Sequence, residues 1–563
     1  MSFRSLVFAI AFALPTATLA QSTLSPRYNG VTANTGTFNR VTINGAGSTG
    51  DASGLSVTAT GGSTSRTLAN IVGDVVDLRD KGALCDGVHD DRPALVAALS
   101  TGRAVFVPET QTSCLIGPPR VPLPSGTKII GRGFRSKLTI DPTTLEPLFE
   151  AVNQDGIYIE GVNLEGNQQT QTSAASGSAA LSATNSTNIK VKNSFLRYWT
   201  RHALYIDGSS NIEISDNEIF QTHNGAGVLV GATQVNTDVQ VIRNHIKNTQ
   251  MAQVHSYTGN RRWVIANNIL DGSGMGSGSM LDGEIADNIT AYVAEHGNQD
   301  VTISGNTLLN SKNNGIHLGG DRISIIGNTV IDPYQSGIFL ANGGATTDRS
   351  YGATIAGNNV EWSDAMKAAR IAAGGTVRAI VVRNLRGGTV TGNVVRNAYD
   401  GLEINGSDIM ENLSVTGNSI QASHFNIWFR NTMTNVLLNG NVLDGLGSSE
   451  VYRTDILGNI TSITFGIDRI INGVNEKSHL FTYIDSGGNA SLGVSSSLTT
   501  ADINLVPKGN GRVRFSAGLA IPFGTPSSAT AFCKQGELKM DDTYIYSCVA
   551  DNSWHRASNG AAW

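Results

Sequence analysis

Residues 301–328 read VTISGNTLLNSKNNGIHLGGDRISIIGN. Val301 and Ile303 precede Asn306, and Leu308 follows it by two positions. Twenty-two residues on, Ile323, Ile325, Asn328 and Val330 repeat the pattern. Two short alternating strands and a tight Gly/Asn turn fit that interval, whereas an amphipathic helix does not. A repeat of this length in β-type sequence predicts a coil that stacks on copies of itself. The same register recurs upstream at Val162, Ser194, Asn217, Asn244 and Asn268, and downstream at Asn358, Asn393, Asn418 and Asn441. The shortest spacings are bare coils, and the longer ones carry inserted loops. Strands of neighbouring coils pair about 4.8 Å apart, so eleven coils make a rod on the order of 50 Å long. An Asn at the same turn of every coil can bond backbone groups above and below it, forming a ladder. A loose β-sandwich would not keep one register over eleven segments.

The chain outward from this repeat divides into four parts. Residues 1–20 have the form of a signal peptide, with Arg4, an apolar core from Leu6 to Leu14 and Thr18-Leu19-Ala20 as the cleavage site. That core is too short to span a membrane, so the expected location is secreted, periplasmic or cell-surface. Residues 21–72 are rich in Gly, Ser, Thr and Asn and suit a stalk or linker. Residues 73–470 hold the parallel β-helix, with the coils proper at about 128–465. Residues 471–563 form a β-rich C-terminal region. A formal net charge of −5 argues against a nucleic-acid partner. Cys85, Cys114, Cys533 and Cys548 suit an oxidising compartment; pairing 85–114 and 533–548 is the parsimonious choice, with free buried thiols the alternative. No Cys/His spacing resembles a zinc site, and no metal or other cofactor is expected.

The run Gly82-x-x-x-Asp86-Gly87-x-x-Asp90-Asp91, an apolar helix Pro93–Leu99 and then Val105-Phe106-Val107-Pro108 resembles the opening segment of the pectate-lyase-like superfamily. This superfamily includes rhamnogalacturonase- and epimerase-like proteins and phage tailspikes. The resemblance implies an all-β, single-stranded, right-handed parallel β-helix, with the helix covering its N-terminal end and Val105–Val107 as the first strand. Asp90 or Asp91 can cap that helix, and Pro93 suits its first turn. The stretch Ile503–Phe515 is similar to tail-fibre repeats, which points to a homotrimer or an attachment role; a plain C-terminal cap fits as well. Cys533–Trp554 reads as a small β-hairpin module.

Function has to be argued from a site, not from a fold. The resemblance implies a groove along one sheet, walled by inserted loops. In Gly315-Ile316-His317-Leu318, Ile316 and Leu318 point inward and His317 points outward. Counting back by one coil puts Glu295 beside His317, with Tyr257 and His255 earlier and Phe339 one coil later. Glu403 and Trp428 face outward on similar strands further on. A carboxylate beside a histidine tunes both groups for proton transfer, and aromatic rings can stack on sugars. The insertion between Asn268 and Asn306 adds Asp282 and Glu284. The expected catalytic residues are therefore Glu295, His317, Asp282 and Glu284. The expected substrate-binding residues are His255, Tyr257, Arg261, Arg262, Lys312 and Phe339, with the arginines and the lysine available to acidic groups. The paired aspartates, Gly-His-Gly and Arg-x-Lys of polygalacturonases are missing, and so is the Asp-Pro-His of alginate epimerases, because Tyr334 follows Asp332-Pro333. The expected function is cleavage of a polysaccharide, acidic by preference, by lyase or hydrolase chemistry; the alternative is a surface fibre, adhesin or polysaccharide-binding protein.

Overall fold

The computed structural model describes residues 73–166, 179–223, 225–273, 287–291, 297–341, 350–375, 377–445 and 450–455. It adds short strands before and after this span and residues 524–558 apart from 534 and 536. The expected signal peptide, most of the stalk and the fibre-like stretch at 503–515 lie outside the described residues. The chain forms two compact units, residues 1–477 with 481–492, and 478–480 with 493–563.

The first unit is a parallel β-helix with three strands per coil, one more than the sequence repeat displayed. The first sheet stacks Ile157, Ile189, Ile212, Val239, Trp263, Val301 and Ile323 in direct register. The second sheet follows the Asn turn and stacks Leu164, Leu196, Ile219, Ile246, Leu270, Leu308, Val330 and Val360. The third stacks Leu181, Leu204, Val228, Val254, Ile289, Ile316, Ile338, Ile380, Leu402 and Ile427. Its strands are as short as Val254–His255, which is why the hydrophobic period did not separate them. All these side chains are buried in one continuous core.

The expected ladder is complete from Ser194 to Asn441. Each ladder amide accepts the backbone N–H of the ladder residue one coil earlier; Asn328 Oδ1, for instance, accepts from Asn306 N at 3.0 Å. Its own Nδ2 donates to Ile303 O at 2.9 Å and to Asn358 Oδ1 at 3.0 Å. The residue before each ladder position has positive φ, as at Gly305 (63°), Gly327 (64°) and Gly357 (62°). Glycine takes that conformation at no steric cost, which accounts for the recurring Gly-Asn pair.

At the N-terminal end, helix α1 (Arg92–Leu99) buries Ala94, Leu95, Ala98 and Leu99 in the same core as Val76 and Val105. The first strand is not the expected Val105–Val107: Val75–Asp77 comes before it and pairs with Ala104–Phe106. Asp91 occupies the cap position, yet its carboxylate accepts from Leu84 N and Cys85 N instead. Asp90 Oδ1 accepts from Arg92 N at the helix start. A second helix, α2 (Asp364–Ala372), replaces the loop expected between Asn358 and Asn393, with Ser363 Oγ accepting from Met366 N at its start. No helix among the described residues is long and apolar enough to cross a membrane.

Both expected disulfides are formed, Cys85–Cys114 and Cys533–Cys548. The second lies in the other unit, where the expected hairpin is a three-stranded antiparallel sheet of Leu538–Met540, Tyr544–Ala550 and Ser553–Ser558. Cys533, Tyr546, Cys548 and Trp554 form its small core.

Candidate active site

The outward residues of the third sheet fall in one column: Tyr205, Leu229, His255, Thr290, His317, Phe339, Val381, Glu403 and Trp428. His255, His317 and Phe339 are therefore placed as expected, and Glu403 and Trp428 lie in strict register with them. Phe339 meets the His317 ring edge-on at 4.7 Å. Tyr257 lies beyond the strand Val254–His255, with its ring 4.1 Å from that of His255.

The residue beside His317 one coil earlier is Thr290, not Glu295. The extra residues of this coil are split between two turns. Ile289 lies nineteen positions after Leu270, where Ile316 lies eight after Leu308. Val301 lies ten positions after Ala291, where Ile323 lies five after Leu318. A count of one bare coil back from His317 therefore stops short of the strand Ile289–Ala291. Glu295, Asp282 and Glu284 lie outside the described residues.

Arg261 and Arg262 belong to the first sheet, not to the His317 face. Arg262 is held by Asp238, with Nε at 2.6 Å from Oδ1 and Nη2 at 2.6 Å from Oδ2. It continues an outer row of alternating charge in which Arg322 pairs with Asp300. Arg261 is exposed beside it. Lys312 is half-buried in the turn leading into Ile316–Leu318.

Although outward-facing, His317 is buried, as is His255. The carboxylate near His317 is Asp287, fully buried, with Oδ2 3.4 Å from Nδ1. Its Oδ1 accepts from Asn314 N at 2.7 Å and Asn313 Nδ2 at 2.9 Å, which orients it. Burial pushes His255 down to about 4 and His202, in the same neighbourhood, well below the ordinary imidazole value. His202 Nδ1 accepts from Ala226 N at 3.0 Å, as only an unprotonated nitrogen can.

A second cluster lies three coils from His317, about 14 Å along the axis at the usual strand spacing. Asp400 and Glu403 are 1% and 0% exposed. Arg378 Nε stands 3.1 Å from Glu403 Oε2 and 4.0 Å from Asp400 Oδ2, so those two oxygens are no more than about 7 Å apart. Arg430 Nη1 and Asn405 Nδ2 each reach Glu403 Oε1 at 3.1 Å. His424 Nδ1 lies 2.8 Å from Asp400 Oδ1, and its ring stacks on Tyr399 at 4.5 Å. Arg430 covers Trp428 at 4.5 Å. Burial raises Asp400 above the usual carboxylate range, opposed by the His424 hydrogen bond and by Arg378. Asp400 Oδ2 has no hydrogen-bond partner among the described residues. Two carboxyl groups in such unlike surroundings can divide acid and base roles.

Sequence reasoning found Glu403 and Trp428 but not Asp400. The register shifts between Ala398 and Asp400, so alternation counted from Glu403 assigns Asp400 inward. The one available signal was Tyr399-Asp400-Gly401 ahead of an outward acid.

Residues 179–360 match the family model described as "Right handed beta helix region". The first unit has the right-handed parallel β-helix fold. Among solved β-helix structures it is similar to the Dettilon tailspike protein, at 15% identity over 69% of this chain and 70% of that one, with a TM-score of 0.43. It is also similar to the Streptococcus pneumoniae surface adhesin PfbA, at 16% identity over 70% and 100%, TM-score 0.36. A third is the exopolygalacturonase of Thermotoga maritima, at 12% identity over 71% and 92%, TM-score 0.36. No curated protein matches the sequence.

Proposed function

We propose that this β-helix is an exported enzyme that hydrolyses a polysaccharide on the outer face of its third sheet, at Asp400 and Glu403. The observation that carries this reading is the carboxyl pair itself. The two acids are within about 7 Å of each other on the outward side of the sheet, beside the half-buried rings of Trp428, Tyr399 and His424. Glycoside hydrolysis needs two carboxyl groups roughly 5–9.5 Å apart, one to protonate the leaving oxygen and one to attack the sugar or activate water. Aromatic rings give a sugar ring its apolar surface. Arg378, Arg383 and Arg430 on the same face favour an acidic chain. A homotrimer is the assembly proposed.

A second reading is proton abstraction at His317, as a uronate lyase requires. It is favoured by the buried Asp287 beside His317, which can orient the imidazole as a base. Glu295, Asp282 and Glu284 are its candidate acids, with His255, Tyr257, Lys312 and Phe339 around the sugar. At about 14 Å the two centres are too far apart to act on one bond.

The deciding experiment offers acidic and neutral polysaccharides and follows reducing ends together with absorbance near 235 nm. Hydrolysis gives reducing ends without absorbance. The expected result is a loss of at least ~100-fold in Asp400→Asn and in Glu403→Gln, with His317→Ala retaining activity. Ultraviolet-absorbing product lost in His317→Ala would select the lyase reading. A polysaccharide retained but not cut would select the adhesin or binding role.

A further inference from the structure

The two carboxyl groups of the cluster are not equivalently held. Glu403 Oε1 accepts from Arg430 Nη1 and Asn405 Nδ2, and Arg378 Nε stands 3.1 Å from Oε2 as an ion-pair partner without a hydrogen bond, so two of its three neighbours carry a permanent charge. Asp400 has a titratable imidazole on Oδ1 and a guanidinium standing off at 4.0 Å from Oδ2. Arg378 is the group common to both. It opens the strand Arg378–Arg383, its backbone pairs with Asp400, and its guanidinium leans past Asp400 toward Glu403.

We propose that Arg378 is the positioning residue that assigns the two roles: lying against Glu403 and standing off Asp400, it keeps Glu403 the carboxylate and leaves Asp400 the proton donor. The inference rests on the hydrolytic reading above. In the step it implies, the Asp400 O–H bond breaks and its proton goes to the leaving glycosidic oxygen as the C–O bond breaks. Glu403 supplies the electron pair, directly to the sugar carbon or by taking a proton from the attacking water. The charged and titratable groups around the pair are Arg378 on the coil before, and Arg430 and His424 on the coil after, with Tyr399 stacked on His424. Arg383 reaches the pair's strand through its backbone partner Asn405. The upward push that burial gives Asp400 runs in the same direction.

The test is a carbon-13 carboxyl titration of the full chain by NMR, with pH–rate profiles alongside. In the unsubstituted protein Glu403 should lose its proton at lower pH than Asp400; the reverse order would overturn the proposal without any variant. In Arg378→Gln the two carboxyls should titrate as one coupled pair, and the acid limb of the rate profile should rise by about one pH unit or more. Arg378→Lys, which keeps the charge, should preserve separate titrations and stands in if the glutamine variant does not fold. An unmoved titration and acid limb in Arg378→Gln, or merged titrations in Arg378→Lys, would overturn it. Full activity in Asp400→Asn or Glu403→Gln would instead sink the hydrolytic reading, whatever the titrations show.

Discussion

Two rows of buried polar groups run along this β-helix, and they are built on opposite terms. In the Asn ladder each amide both donates and accepts, and every coil supplies the partner its neighbour needs. Along the third-sheet face, His255 Nδ1 and Asp400 Oδ2 are buried with no hydrogen-bond partner among the described residues. Burying a polar atom without a partner costs on the order of 1–3 kcal/mol. The ladder meets that requirement at nine consecutive turns, whereas this face leaves it unmet at titratable groups, at a local cost in stability. Such concentrations of unmet polar groups are where sites are found. The ladder repeats because an amide complements itself; the face does not repeat, because its groups differ from coil to coil.

The most direct way to break this contrast is to remove one rung. Asn328→Ala should leave Asn306 N–H and Ile303 C=O without their side-chain partner. With two or more buried groups orphaned, the expected cost is roughly 3–5 kcal/mol, read as a lowered urea midpoint. Cleavage or binding at the third-sheet face should be unchanged in the protein that stays folded. A variant as stable as the parent would show that the ladder is not what joins the coils.

The ladder and the face also differ in how far the sequence reveals them. Gly305-Asn306, Gly327-Asn328 and Gly357-Asn358 announce themselves because one residue needs positive φ and the next makes the same bonds in every coil. His317 and Phe339 were legible for a related reason: a bare coil separates them, so counting by twenty-two holds. The position beside His317 was misassigned to Glu295 because the inserted residues flank the strand Ile289–Ala291 on both sides, a division that composition does not disclose. Asp287 belongs to the same insertion as Asp282 and Glu284, and its position two residues before the strand Ile289–Ala291 is what brings it to His317. Asp400 was hidden by the register shift beside it. The core pattern is set by local alternation, whereas the site depends on where irregularities fall.

A second prediction separates the rows by titration. Amides do not ionise near neutral pH, so the ladder contributes equally across the range. His255 does titrate: its folded value is about 4 against 6.5 for the free side chain, because burial disfavours the charged form. Between those values the unfolded chain binds the proton and the folded chain does not, so stability falls as pH drops from about 6.5 to 4 and levels off below. The shift corresponds to about 3 kcal/mol. His202 acts in the same direction. His255→Gln should remove its share and flatten the urea midpoint against pH in this window; an unchanged slope would mean that His255 charges freely in the folded protein.

The smallest expected effect belongs to a third class of polar pair, the exposed one. Arg262 and Asp238 make two short contacts, so by geometry alone they would outrank any rung of the ladder. Yet their side chains are 57% and 48% exposed. Water already satisfies both groups when they part, and salt screens what attraction is left. Arg262→Ala should therefore leave the melting temperature without measurable change. Because the pair lies on the first sheet, polysaccharide cleavage or retention should be unchanged too. A clear loss of polysaccharide handling in this variant would place the substrate on the first sheet and make the charged row, not the third-sheet face, the working surface. A clear loss of stability would show that alternating charges along the rod act as a network, so that what separates the ladder from the surface is continuity along the axis and not burial.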